Sequence, residues 1–286
     1  MKRTTHTDIF KGRTVLIVTK HEKEKVIAPI LEKWLGVKCV VDKKFDTDIL
    51  GTFSGERKRT DDPLTTARKK CMMALEQSKY DLALASEGSF GSHPSIFFAP
   101  ADDEILLLID KKNNLEIFSR ELTTATNFNT KQISSLSELT DFAKEVKFPS
   151  HGLILRKSKT DYSIIYKENP NRNKLITHFN HILQTNGSVY VETDMRAMNN
   201  PTRMKVIKTA TKKLAKKSLS FCPNCNTPGF SITEVISGLP CSLCETPTRS
   251  TLSYLYTCSK CDYKKEKKYP NKKRNEEPMY CDRCNP

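Results

Sequence analysis

Four Cys-x-x-Cys pairs, Cys222/Cys225, Cys241/Cys244, Cys258/Cys261 and Cys281/Cys284, fall within the final 65 residues and limit what that part of the chain can become. Each pair can present two sulfurs from one tight turn, and two such turns complete a tetrahedral site. Eight thiolates therefore predict two closed structural zinc sites with no position left for water. The intervening segments of 15, 13 and 19 residues leave the pairing open. Sequential sites would join the first pair to the second and the third to the fourth. Nested sites would join the second to the third and the first to the fourth, which the similar length of the outer arms favours. The segment holds few large apolar residues, so zinc binding, on the order of 10 kcal/mol per site, would drive its folding. Cysteines used this way point to a reducing compartment, with Cys39 and Cys71 left as core residues.

A chain of 286 residues predicts about two domains. We expect an α/β domain for ligand binding or catalysis over residues 1–218 and a zinc-ribbon module over residues 219–286. The net charge of +15 is uneven, since residues 201–286 hold 17 Lys and Arg against 7 Asp and Glu. Eight thiolates around two Zn²⁺ would offset part of that excess. No apolar run approaches the ~20 residues of a membrane span, and the start MKRTTHTDIFKGRTVLIVTK lacks a signal-peptide core, so a cytoplasmic location is expected.

Strands are predicted at 14–18, 37–41, 82–85, 104–109, 115–122, 152–156, 162–166 and 188–191, alternating with helices, which gives a mixed sheet flanked by helices. Asp62 before Pro63, and Asn200 before Pro201, read as N-caps followed by a first-turn proline. Ser135 with Glu138 reads as a capping box.

Two stretches carry residues suited to chemistry. In DLALASEGSFGSHP, Asp81–Pro94, a short buried strand is expected to end in a loop where Ser86, Glu87 and Gly88 offer a hydroxyl, a carboxylate and an open backbone N–H. In ETDMRAMNNPTRM, residues 192–204, Asp194, Arg196 and Arg203 crowd a strand-to-helix junction. With the loops at 19–25 and 51–59, the chain offers the acids Glu56, Glu87 and Asp194 and the cations Lys25, Arg59, Arg196 and Arg203. Carboxylates hold Mg²⁺ or Mn²⁺ and cations clamp phosphate oxygens, so this set suits a metal-bound phosphate ester attacked by water. The same residues also suit ordinary turn formation, helix capping and surface ion pairing. A third reading makes Ser86 or Ser89 a nucleophile with His93 as base. P-loop, GxGxxG, HExxH and GxSxG patterns do not occur.

The order VLIVTKHEKEK, GTFSGERKRTDDPLTTARKKCMMA and DLALASEGSF resembles the inosine/xanthosine triphosphate pyrophosphatase superfamily over about the first 95 residues. That resemblance implies a pyrophosphatase-like fold, phosphate binding by Thr19 and Lys25, and metal binding or catalysis by Glu56 and Glu87. His21 stands where that superfamily has Asn, and Lys25 lies one residue late. The whole chain resembles a bacterial family carrying a domain of unknown function, through ASEGSFGxHP, ETDMRAMxNPTRM and the four-pair cysteine tail.

The expected function is metal-dependent binding and hydrolysis of a nucleotide or related phosphorylated ligand. A basic zinc module would recruit nucleic acid or a protein partner through the Lys-rich segments 205–217 and 264–274, with Tyr254, Tyr256, Tyr263 and Tyr269 available for base stacking. The alternative is a non-enzymatic zinc-ribbon nucleic-acid-binding protein in which the α/β domain is a scaffold.

Overall fold

The apolar strand Thr14–Val18 (β1) has neighbours on both sides, as a strand buried on both faces requires. It runs parallel to Lys38–Val40 (β2) and to Leu82–Ser92 (β3). The helices Glu24–Leu35 (α1) and Pro63–Glu76 (α2) make the two crossovers. Because these crossovers run in opposite directions across β1, right-handed connections place them on opposite faces. Pro29 lies inside α1, and Gly36 closes it in the left-handed conformation at φ 66. Asp62 caps α2 through Leu64 N and Thr65 N, both at 3.0 Å. Pro100–Asp110 (β4) and Leu115–Thr123 (β5) then add antiparallel strands, giving the order β2-β1-β3-β4-β5.

The structure is a computed structural model that describes residues 9–42, 61–168 and 171–286, and Glu56 and Arg59 lie outside the described residues. The chain divides into two compact units, Phe10–Ala215 and a second that contains Lys216–Pro286.

The stretch expected to form a loop after Ala85 instead continues as strand. Ser86 to Ser92 pair in register with Leu106 to Pro100, so β3 and β4 share an eleven-residue antiparallel ladder. Continuous pairing with β4 outweighs the weak strand preference of Gly and Ser. β1 ends opposite Ala85, leaving the first-sheet edge of β3 open from Ser86 onward to side chains from the 19–23 turn. On one face, α2 buries Ala67, Cys71 and Leu75 against Leu16, Val18, Ala83, Ala85, Leu107 and Ile109. Alternation sends Val15, Ile17, Leu82, Leu84, Leu106 and Leu108 to the other face, all buried.

A second sheet in the same unit is antiparallel throughout, in the order Thr130–Ile133 (β6), Val189–Thr193 (β9), Leu153–Arg156 (β7), Ile165–Glu168 (β8). The helices Leu136–Glu145 (α3) and Arg172–Asn186 (α4) contribute Leu139, Phe142, Leu175, Phe179 and Ile182 to a core with Leu153, Leu155, Val189 and Val191. The Ser135 hydroxyl accepts from Glu138 N at 3.2 Å, as the capping pattern requires. β6 carries no sequence signal because three of its four residues are exposed. The strand expected at 162–166 begins only at Ile165. Helix Pro201–Ser218 (α5) meets the first sheet where Ser119 Oγ donates to Ala210 O at 2.8 Å.

In the second unit, Ser231–Ser237 (β10), Thr251–Thr257 (β11) and Lys264–Lys268 (β12) form an antiparallel meander. Among the described residues no helix is long and apolar enough to cross a membrane.

Phe179 is fully buried in the core of the second sheet. Phe179→Ala is expected to cost about 3–5 kcal/mol, read as a lower urea midpoint with unchanged metal content.

Candidate functional site

Two four-cysteine groups form in the Lys216–Pro286 unit, and they follow neither expected pairing. Cys222 and Cys225 meet Cys258 and Cys261, while Cys241 and Cys244 meet Cys281 and Cys284, with the four sulfurs of each group within 4.8 Å of one another. The first pair thus joins the third and the second joins the fourth. The meander dictates this: β10 carries the chain from the first pair to the second, and antiparallel β11 returns it to the third beside the first. β12 reverses it again, and Ser242 N to Glu276 O (2.9 Å) with Glu276 N to Pro240 O (2.7 Å) ties the returning chain beside the second pair.

All four turns are built alike. The amide after each second cysteine donates to the carbonyl of the first: Asn226, Glu245, Asp262 and Asn285 do so at 2.9, 3.0, 3.1 and 2.9 Å. Asn226, Glu245 and Asp262 take positive φ of 61, 59 and 54°, which turns the chain away from the sulfurs. Sulfur separations of 3.7 Å for Cys222–Cys261, 3.5 Å for Cys225–Cys258, 3.9 Å for Cys241–Cys284 and 3.6 Å for Cys244–Cys281 can be compared with an ideal site. A tetrahedron with Zn–S bonds of ~2.3 Å has edges of about 3.8 Å, so the donor set and its size fit zinc. Hydrogen bonds with Thr227 and Thr246 hold the Cys225 and Cys244 thiols down to about 6, while burial pushes Cys258 up to about 11 and the hydrogen bond with Cys244 pushes Cys284 up to about 12.

In the Phe10–Ala215 unit, a buried charged cluster gathers where β1 ends. Ser86 and Gly88 of β3 share one face with Asp102 and Glu104 of β4, because Gly88 stands opposite Glu104 and Phe90 opposite Asp102. Onto that face Lys23, at the start of α1, extends its Nζ to Ser86 O at 2.9 Å and Ser86 Oγ at 3.0 Å. Arg203, in the first turn of α5, donates from Nε to Glu104 Oε1 at 2.5 Å and from Nη1 to Met195 O at 2.5 Å. Its guanidinium also lies 5.1 Å from the Phe90 ring. Only glycine fits at position 88, since a Cβ there would collide with Glu104 and Arg203.

Lys23, Asp102, Glu104 and Arg203 are all buried. Both carboxylate oxygens of Asp102 and Oε2 of Glu104 are without a hydrogen-bond partner among the described residues. Burial, followed by the neighbouring charge of Glu104, pushes the Asp102 carboxyl up to about 8. Burial, followed by Arg203, brings the Lys23 ammonium down to about 7. The cluster therefore contains an acid and an amine that both change charge near neutrality, one of them touching a serine hydroxyl. An apolar cavity of about 450 Å³ between α3 and α4, lined by Leu139, Ala143, Phe148 and Leu175 with Lys144 and Arg172, offers no such groups.

The residues singled out from sequence are distributed unevenly around this cluster. Ser86, Gly88 and Arg203 belong to it. Glu87 lies on the opposite face of β3, buried, with Lys70 Nζ 2.5 Å from Oε1. Asp194 is engaged within its own turn: Arg196 N (2.9 Å), Arg196 Nε (3.0 Å), Arg196 Nη2 (2.6 Å) and Asn199 Nδ2 (2.8 Å) donate to its oxygens. Both Asp194 and Arg196 thereby fix the 194–200 turn, and Gly152 lets that turn approach closely through Gly152 N to Asn199 O at 2.9 Å. Lys25 pairs with Glu22 on the surface at 2.5 Å, while Lys23 turns inward. Thr19 accepts from His21 N at 3.4 Å. Ser86 Oγ is engaged by Lys23, and His93 Nδ1 accepts from Ser95 N and Ile96 N, both at 3.1 Å, so the serine–histidine pair is not assembled.

Lys23, Asp102 and Glu104 escaped the sequence reading. A signal existed for the acids, since Asp102 and Glu104 are in phase with Leu106 and Leu108, and alternation places all four on one buried face.

A mixed α/β unit with a buried ionisable cluster, joined to a unit with two interleaved four-cysteine groups, is the class of protein defined by these features. A family model matches residues 70–286, and the chain belongs to that family, described as Domain of unknown function (DUF6671). No curated protein matches the chain, and no solved structure does.

Pairing can be read from metal content. Cys222→Ser with Cys258→Ser disables one site and is expected to retain one metal equivalent, whereas Cys222→Ser with Cys241→Ser or with Cys281→Ser disables both. Retention by either of the latter would support sequential or nested sites. A further expectation concerns pH. Folded Asp102 keeps its proton up to about 8, whereas an unfolded Asp releases it near the ordinary 3.8. Its contribution to stability is therefore full below pH ~4 and lost as pH rises towards 8. Lys23, lowered from 10.5 to about 7, contributes with the opposite slope, above pH 7. Asp102→Asn should flatten the fall in urea midpoint between pH 5 and 7, measured without added divalent cation.

Proposed function

We propose that the Phe10–Ala215 unit binds a nucleotide or related phosphorylated ligand with a divalent cation and hydrolyses it. In the same reading, the second unit holds two structural zinc ions and recruits nucleic acid. One observation carries the catalytic half: two buried acids, Asp102 and Glu104, keep carboxylate oxygens without hydrogen-bond partners among the described residues, beside Lys23 and Arg203. They lie where parallel β1 and β3 present their carboxyl ends, the usual ligand position in an open α/β sheet. Interior carboxylate oxygens left this way cost free energy, and a hard cation would satisfy them.

In this arrangement Asp102 and Glu104 would hold Mg²⁺ or Mn²⁺, which supplies Lewis-acid polarisation of the phosphate and a more acidic bound water. Lys23 and Arg203 neutralise phosphate oxygens. Glu87, paired with Lys70 on the opposite face of β3, takes no part in this cluster. The resemblance of the N-terminal stretch to the inosine/xanthosine triphosphate pyrophosphatases supports the same reaction class, with Lys23 taking the phosphate-binding role expected of Lys25. The scaffold reading, nucleic-acid binding without catalysis, is favoured by β12, whose sequence is KKEKK and whose residues are all exposed.

Turnover of a nucleoside triphosphate panel in Mg²⁺ or Mn²⁺ is expected of the native chain. Asp102→Asn should lower kcat by about a hundredfold or more, whereas Glu87→Gln, on the opposite face of β3, should leave it close to native. Full turnover in Asp102→Asn would remove this site. No turnover by the native chain, with salt-sensitive oligonucleotide binding intact, would favour the scaffold reading.

A further inference from the structure

The three-stranded sheet of the Lys216–Pro286 unit has two chemically different faces. Register places Tyr254 beside Val235 and Lys267, and Tyr256 beside Ile232 and Lys265, so these six side chains share one face. Lys264 and Lys268 stand opposite Thr257 and Ser253 on the other face. Ile232 and Val235 are exposed, 42% and 59% respectively, and both tyrosines are half-buried. Phe230 anchors the aromatic end, 5.7 Å from the Tyr256 ring and 6.0 Å from the Tyr263 ring, next to Cys222 and Cys258. The face is thus a strip of rings and aliphatic side chains bordered by cations.

Two physical arguments identify its occupant. An edge strand of four lysines and one glutamate resists pairing with another strand, which disfavours a protein partner adding to the sheet. Rings on a flat sheet beside ammonium groups match bases beside phosphates, and only an unpaired strand can turn its bases outward onto such a surface. We infer that this face binds single-stranded nucleic acid, with bases stacked on Tyr254 and Tyr256 and phosphates at Lys265 and Lys267. The inference rests on, and deepens, the recruitment half of the proposed function.

The test uses the full metal-loaded chain, with fluorescence anisotropy on labelled oligo(dT), oligo(U) and a duplex of equal length. Either or both single strands should bind at least tenfold more tightly than the duplex. The double variant Lys265→Gln/Lys267→Gln should weaken binding about tenfold or more and lower the steepness of log K against log salt by about 1.4, from roughly 0.7 per phosphate contact. Lys264→Gln/Lys268→Gln removes the same charge from the other face and should stay within about threefold of the native chain. Tyr254→Leu keeps apolar bulk without the flat ring and should weaken binding roughly tenfold. Equal losses from the two lysine pairs, native affinity in Tyr254→Leu, a preference for duplex, or no oligonucleotide binding would each overturn the assignment. Metal content reports folding in every variant. Nucleotide hydrolysis is measured separately and without oligonucleotide, so failure of either reading leaves the other standing.

Discussion

Arg203 is the interaction on which the α/β unit turns. It starts α5, it is buried, and its guanidinium reaches Glu104 in the first sheet and Met195 O in the segment that leaves the second. Its own backbone amide is held by Asn200 Oδ1 at 2.9 Å, and Asn200 reaches Asn127 at 2.8 Å. A charge this deeply buried is tolerated only with partners in place, and removing one partner of such a pair typically costs ~3–5 kcal/mol. The same pair also sets one wall of the buried cluster, so the joint between two sheets and the candidate chemistry depend on a single side chain.

Local signals in the sequence read well because their physics is local. Asp62–Pro63, Ser135 with Glu138, and Asn200–Pro201 start helices where expected, since each cap needs only the next three residues. The Cys-x-x-Cys turns are equally self-contained, and their two four-sulfur groups form. Long-range consequences were not legible. Lys23 sits in the 19–25 loop, from which residue type selects Lys25, and only the end of β1 opposite Ala85 gives the Lys23 side chain a buried destination. Glu104 opens the strand expected at 104–109 and Asp102 lies before it, and only the extension of the β3–β4 ladder to Pro100 turns both acids inward.

The candidate site shows the same division. Residue type pointed to Glu87, Asp194 and Arg203 alike, yet partners separate them: Lys70 meets Glu87, Arg196 and Asn199 saturate Asp194, and Arg203 enters the interior. What distinguishes a carboxylate available to a ligand from one holding a turn is the number of donors already aimed at it. That number is a property of the fold.

Interleaving in the cysteine-rich unit has a consequence for the order of events as the chain is made. Each metal group unites turns separated by more than thirty residues, Cys222 with Cys261 and Cys241 with Cys284. No contiguous half of the unit contains a whole site. A ribosome releasing this segment from its N-terminal side therefore exposes two incomplete sulfur pairs at once, and the first four-cysteine group can close only after Cys261 emerges. The second group waits for Cys281 and Cys284, beyond β12, so the unit closes in two stages and the first four-sulfur group can form before the third strand is made.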